Sequence, residues 1–252
     1  PLSPPVRWEG AELIDRAHAD GRGIVFLTPH LGCFEVTAQA YAERFAAARA
    51  PITVLYRKPK QAWLQPLIET GRGSANFHLA PADLSGVRLL LKSLKRHEAV
   101  GMLPDQVPGM GEGQWADFFG RPAYTMTLGA RLSETERTTV LLAFAERLPG
   151  GKGFNLRFSA PTQPIAGTQA ERVAAINRAL EALIRRCPAQ YLWGYNRYKA
   201  PRGSGGPVEP PCWPVSASPS SGCCTSCRWN GWRRWARPSA DCSTPSAGSA
   251  AI

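Results

Sequence analysis

Between residues 8 and 199, short apolar runs alternate with longer stretches of helical period. Residues 24–27, 52–56, 76–79, 99–103, 138–146 and 154–159 are brief, apolar and rich in β-branched or aromatic side chains, which predicts strands. Residues 8–18 predict a helix with Leu13, Ile14 and Ala17 on one face. Further helices are predicted over 33–48, 61–70 and 82–97, the last with Leu84, Val87, Leu91 and Leu94 as its apolar stripe. A final helix opens at Thr168, where Glu171 three residues on completes a capping box, and carries Val173, Ile176, Leu180, Leu183 and Ile184 inward. The Pro-Gly-Gly-Lys-Gly run at 149–153 reads as a turn, and 108–113 as a glycine-rich loop leading to Phe118-Phe119-Gly120. The alternation predicts an α/β fold, a mixed central sheet flanked by helices.

The pattern stops near Lys199. Of the residues from Ala200 to Ile252, 24 are Gly, Pro or Ser, too many for a packed element, and no helical or strand period is sustained. The sequence therefore predicts one domain over 1–199 and a low-complexity, disordered tail over 200–252. Cysteine usage divides at the same point: Cys33 and Cys187 alone stand before it, which fits a reducing compartment. Cys224-Thr-Ser-Cys227 in the tail lacks the second pair or the His spacing of a zinc site.

The net charge of +11 predicts anionic partners, whether phosphorylated lipid or acidic protein. No basic array interleaved with aromatics and no zinc-finger spacing points to nucleic acid. No apolar run approaches the ~20 residues that span a bilayer. The chain begins with Pro1, as a fragment or processed product would.

Candidate chemistry sits where the first buried strand breaks, at Thr28-Pro29. His30 and Glu35 bracket the break. On one continuous helix, five positions apart means ~140° of rotation and diverging side chains. With His30 in the turn and Glu35 in the first helical turn the two can meet, and Gly32 gives the backbone that freedom. An imidazole at a strand's carboxyl end with a carboxylate to orient it is a general base, and the nucleophile would be a substrate hydroxyl. Cys33 reads as small packing. Ligands of α/β sheets gather beyond the strands' carboxyl ends, where Asp105 also falls. Asp105 and Gln106 read as groups that position substrate or support their turn.

Five blocks in order carry a resemblance: Thr28-Pro-His-Leu-Gly-Cys-Phe-Glu35, Leu55-Tyr-Arg-Lys58, Leu103-Pro-Asp-Gln106, Phe118-Phe-Gly-Arg-Pro-Ala123 and Pro188-Ala-Gln-Tyr-Leu-Trp193. With Asn196-Arg-Tyr-Lys199 they resemble the bacterial lipid A biosynthesis acyltransferases of the lysophospholipid acyltransferase superfamily. The resemblance implies an acyltransferase-like fold and transfer of an acyl chain from acyl carrier protein to a hydroxyl of a phosphorylated lipid A precursor. It implies His30 as base and Glu35 as its partner, with no metal or bound cofactor. It places Arg57 on a substrate phosphate, where guanidinium suits bidentate contact, with Arg72 in a similar role; each reads alternatively as a solvated cation. It implies work at the membrane surface, on the cytoplasmic face of the bacterial inner membrane. Lys92, Lys95 and Arg96 read as a solvated helix face or a docking face for the acidic carrier. The sequence departs from the family in lacking its hydrophobic N-terminal helix and in its ending after Lys199. The alternatives are a glycerophospholipid acyltransferase, disfavoured by Asp105-Gln106 and Gln190-Tyr-Leu-Trp193, and a non-catalytic binder of anionic lipid.

Overall fold

The computed structural model describes residues 5–46, 51–57, 76–201 and 203. The predicted helix over 61–70, Lys58, Arg72 and all but Ala200, Pro201 and Gly203 of the tail lie outside the described residues.

Seven of the nine described strands form a mixed sheet, and the other two pair separately. In chain order the seven are β1 (Val6–Glu9), β2 (Gly23–Leu27), β3 (Ile52–Tyr56), β4 (Phe77–Pro81), β5 (Ala99–Met102), β8 (Thr138–Arg147) and β9 (Phe154–Ser159). Their spatial order is β1-β9-β8-β2-β5-β3-β4, and all neighbours run parallel except β8 and β9. The antiparallel pair is the one joined by a short turn, at Pro149–Gly151, as a tight connection requires. The buried five-residue β2 lies near the middle, between β8 and β5.

Side-chain alternation along the strands builds two cores. On one face Val25, Leu27, Val100, Met102, Leu142 and Phe144 pack with Leu90, Leu94, Ile176 and Leu180. These last four come from α3 (Leu84–Lys95) and α5 (Gln169–Arg186). On the other face Ile24, Phe26, Leu141 and Ala143 pack with Ile14, Ala40 and Tyr41. Those helical residues belong to α1 (Ala11–Ala19) and α2 (Phe34–Tyr41). The result is the helix–sheet–helix sandwich that the pattern predicts. Local sequence fixes the helix starts: Asp83 accepts from the Ser85 and Gly86 amides, and Thr168 with Glu171 closes the capping box.

Three elements differ from expectation. Val6–Glu9 is an edge strand, and the helix predicted from residue 8 begins at Ala11, after Gly10 turns the chain with a φ of 83°. Four residues on a sheet edge, half-buried in alternation, carry too short a signal to separate from the helix that follows. Residues 113–126 are a two-stranded hairpin, β6 (Gly113–Phe118) and β7 (Arg121–Met126), reversing at Phe119 and Gly120 with φ of 50° and 71°. The pair of positive φ values makes the primed turn that hairpins favour. A short helix, α4 (Leu128–Ser133), follows unannounced. Among the described residues no helix is long and apolar enough to cross a membrane.

Candidate active site

Two adjacent parallel strands assemble the site. Leu27 ends β2 and pairs with Met102 at the end of β5. One further ladder bond, from the Thr28 amide to the Met102 carbonyl (3.1 Å), keeps the two chains in step beyond the sheet. Each chain then meets a proline, Pro29 and Pro104, and turns. His30 and Asp105, each three residues past its strand, therefore emerge side by side.

His30 Nδ1 lies 2.8 Å from Asp105 Oδ1, and the His30 backbone amide donates to Asp105 Oδ2 at 2.9 Å. The Gln106 side-chain amide Nε2 stands 3.1 Å from His30 Nε2. A carboxylate accepts and an amide nitrogen donates, so both neighbours select one tautomer: the proton on Nδ1 and the lone pair on Nε2. Phe34 packs against the ring edge-on, with centroids 5.0 Å apart. Asp105 is buried, 2% exposed, whereas the His30 side chain keeps 17% of its surface open.

The orienting place that the turn assigned to Glu35 is thus taken by Asp105, which the sequence had grouped with substrate-positioning residues. The physical reason is the register of β2 and β5, which sets Asp105 against Nδ1. Glu35 occupies the first turn of α2 as expected, exposed, on the wall of the cavity that His30 also lines.

The turn itself is clamped on two sides. Gly32 has a φ of 63°, and a Cβ there would lie 2.1 Å from the Ala145 carbonyl oxygen, so only glycine fits. That carbonyl accepts from the Cys33 amide (2.8 Å). Opposite, residues 188–199 run across the turn as a strap. The Gly32 amide donates to the Gln190 carbonyl (3.0 Å), the Leu192 amide to the His30 carbonyl (3.0 Å), and Leu31 bridges Tyr191. Gln190 also exchanges two bonds of 3.0 Å with the Arg147 backbone. This explains physically why a block so distant in sequence belongs to the site.

Beside Nε2 opens a cavity of about 280 Å³. It lies on the α1–α2 face of the sheet, and Phe26, Ile52, Val54, Phe77 and Leu79 give it largely apolar walls. His30, Glu35, Arg57 and Gln106 are among its polar lining, near the strands' carboxyl ends. Gly101 in β5 helps to keep it open: a Cβ there would already touch Val54 Cγ2 at 3.3 Å. Arg57, just past β3, is exposed on the rim. Arg72 lies outside the described residues. Phe118 is buried in the core. Among the described residues no cluster of three or more His, Cys, Asp or Glu is placed to hold a metal ion.

Sequence reasoning missed Tyr191 and Arg197 as members of the site. Arg197 is 3% exposed and spans the Tyr124 carbonyl (2.8 Å) and Thr125 Oγ1 (2.6 Å), tying the strap to the hairpin. Burial lowers its proton affinity, against the pull of the nearby Tyr191 and Asp105. The available signal was the pair of blocks around 188–193 and 196–199, which no period or spacing links to His30.

The model of the family described as bacterial lipid A biosynthesis acyltransferase matches residues 2–200. The chain is 27% identical over 195 residues to the lipid A biosynthesis palmitoleoyltransferase of Escherichia coli K12, covering 76% of this chain and 60% of that protein. It is 28% identical over 201 residues to the lipid A biosynthesis lauroyltransferase of the same organism, covering 77% and 62%. The identity is 22% over 195 residues to its lipid A biosynthesis myristoyltransferase, covering 76% and 58%. The chain thus spans about three-fifths of the length of these relatives.

Proposed function

The chain belongs to the bacterial lipid A biosynthesis acyltransferase family, and from that membership and the geometry at His30 we propose that it transfers a fatty acyl chain from a thioester to a hydroxyl of a lipid A precursor. One observation carries this reading: an imidazole whose Nδ1 faces a buried carboxylate and whose Nε2 opens beside an apolar cavity. A hydrocarbon chain fits the cavity, and a hydroxyl presented at its upper end meets the base.

The reaction follows from the residues. The acceptor hydroxyl displaces the Gln106 amide from Nε2, and Nε2 takes its proton as the oxygen attacks the thioester carbonyl carbon. Asp105 stabilises the imidazolium across the Nδ1–H bond, as carboxylates do in histidine-based acyl transfer. Glu35, a second carboxylate on the same cavity wall, adds favourable field for the cation. The tetrahedral intermediate collapses with cleavage of the C–S bond, and the imidazolium returns its proton to the thiolate. An ester and a free thiol result.

Acyl carrier protein is the proposed donor, and the basic exposed positions Lys92 and Lys95 on α3 are a fitting face for an acidic carrier. Arg57 on the rim is the proposed phosphate contact, and the site works at the membrane surface, where its lipid substrate resides. The test is an assay of the purified chain with acyl carrier protein thioester and lipid A precursor, with lysophosphatidate as competing acceptor. Acylated lipid A precursor is the expected product; transfer to lysophosphatidate alone, or to neither, overturns the reading.

A further inference from the structure

β2 and β8 pair only as far as Leu27 and Leu142. β8 runs on to Arg147, so its backbone on that edge has outlived its strand partner. The turn after β2 takes over first, with a parallel bridge from Gly32 to Ala145 and a bond from the Cys33 amide to the Ala145 carbonyl (2.8 Å). Two residues further on, where the next backbone groups face the same edge, the partner is a side chain. The Arg147 amide donates to Gln190 Oε1, and Gln190 Nε2 donates to the Arg147 carbonyl, both at 3.0 Å. A carboxamide carries the donor and acceptor of a peptide group, so Gln190 stands in for one residue of the strand that has ended.

We propose that Gln190 is a positioning residue of the reaction, its side chain anchoring to β8 the strap backbone that holds His30 in place. The inference rests on the acyl-transfer reading above for its consequence in turnover, and on the structure alone for its consequence at the imidazole. The main-chain carbonyl of Gln190 accepts from the Gly32 amide (3.0 Å), and two residues along the strap the Leu192 amide donates to the His30 carbonyl (3.0 Å). Arg147 Nη1 donates to the Gly32 carbonyl at 3.2 Å, so four hydrogen bonds join Gly32, Gln190 and Arg147 in a closed ring. Asp105 hangs from β5, whereas His30 hangs from the turn, and the strap thus sets one against the other. A slip of the strap along β8 displaces the imidazole while the carboxylate stays, and the Nδ1–Oδ1 bond of 2.8 Å is lost within a few tenths of an ångström. The role needs a carboxamide of this length: Glu lacks the donor, and Asn is one methylene short. Gln190 does not line the cavity, so its replacement leaves the binding walls intact.

The test is Gln190→Ala and Gln190→Glu, with steady-state rates and nitrogen-15 NMR of histidine-labelled protein recorded at a temperature where melting shows each variant folded. Gln190→Glu keeps the volume and the bond from the Arg147 amide and loses only the donor, so it carries the test where Gln190→Ala fails to fold. In either variant kcat is expected to fall about ten- to a hundredfold, the cost of a small misplacement of a catalytic group, with KM for both substrates unchanged. The His30 Nδ1 proton is expected to broaden through faster exchange as its bond to Asp105 loosens. In an Asp105→Ala background Gln190→Ala is expected to cost little further, because the imidazole then has no carboxylate to be set against. Native turnover, a fall in kcat with a native imidazole spectrum, a rise in KM alone, or equal losses in both backgrounds each overturns the proposal and leaves Gln190 a structural residue. The spectrum reads the positioning even if the chain proves to act on another acceptor, so failure of the proposed reaction and failure of this inference give different results.

Discussion

The Gln106 side-chain amide caps Nε2 of His30 at 3.1 Å, the nitrogen that accepts the substrate proton in the proposed reaction. The base is therefore poised in the right tautomer yet occupied until a hydroxyl takes the place of the amide. That contact predicts two opposite variants. In Gln106→Ala the lone pair is uncovered, and an imidazole-acylating reagent should modify His30 several-fold faster than in the native chain. In Gln106→Glu a carboxylate acceptor replaces the donor and, with Asp105 opposite, favours a proton on both ring nitrogens. Turnover at neutral pH should then drop by ~10²-fold or more. If both variants turn over and are modified like the native chain, Gln106 does not govern Nε2.

The pairing of His30 with Asp105 predicts strong non-additivity. His30→Ala should lower turnover by ~10²-fold or more, the usual worth of a general base. Asp105→Asn should cost a comparable or larger factor, about 10²–10⁴, because an amide can donate to Nδ1 and so favours the wrong tautomer. Combined, the two should cost little more than His30→Ala alone. Steady-state rates of the three proteins decide the matter, and additive losses would show that Asp105 acts on something other than the base.

Much of this was legible in the amino-acid sequence, and what escaped did so for identifiable reasons. The strand over 24–27, the break at Thr28-Pro29 and the need for Gly32 in the turn all depend on neighbours in sequence, and the structure has them so. The choice between Glu35 and Asp105 as the carboxylate on Nδ1 depends on which strand lies beside β2 and in what register. No local pattern in the chain specifies that β5 is the neighbour, although once it is, equal offsets from Leu27 and Met102 bring His30 and Asp105 together. Tyr191 was hidden for the same reason at greater range: its bridge to Leu31 forms only because residues 188–199 return to a turn that lies some 160 positions earlier. The hairpin over 113–126 was missed differently. Its strands carry no period of two: β6 is half-buried along most of its length and β7 buries Ala123, Tyr124 and Thr125 in succession.

Arg57 offers a test of the rim. If its guanidinium grips a phosphate of the acceptor in bidentate fashion, Arg57→Lys should already raise the acceptor KM several-fold, since an ammonium cannot reproduce the fork. Turnover at saturating acceptor should change little, because the contact is distant from the transferred proton. A KM equal to that of the native chain in Arg57→Lys would leave Arg57 as a surface cation.

Gly101 predicts how the cavity measures its occupant. It lies in β5 with its Hα side toward Ile52 and Val54, within the cavity lining and on the face that carries Phe26 and Phe77. A methyl group there would meet Val54 Cγ2 at 3.3 Å, close enough that Val54 must give slightly. Gly101→Ala should accordingly be tolerated with a modest loss of stability. In Gly101→Leu the side chain must project into the void itself, shortening the space left for a hydrocarbon chain. Each methylene excluded from an apolar pocket is worth ~1–3 kcal/mol of discrimination. The ratio of kcat/KM between short and long saturated acyl thioesters should therefore move tenfold or more toward the shorter donors. Rates with the shortest donors should be less affected, because His30 and Gln106 line the cavity beyond the carboxyl ends of β2 and β5, past Gly101. Competition among donors of graded length in one reaction, with products resolved by mass, reads the shift directly. If Gly101→Leu instead lowers all lengths by the same factor while melting like the native chain, the acyl chain lies somewhere other than this cavity.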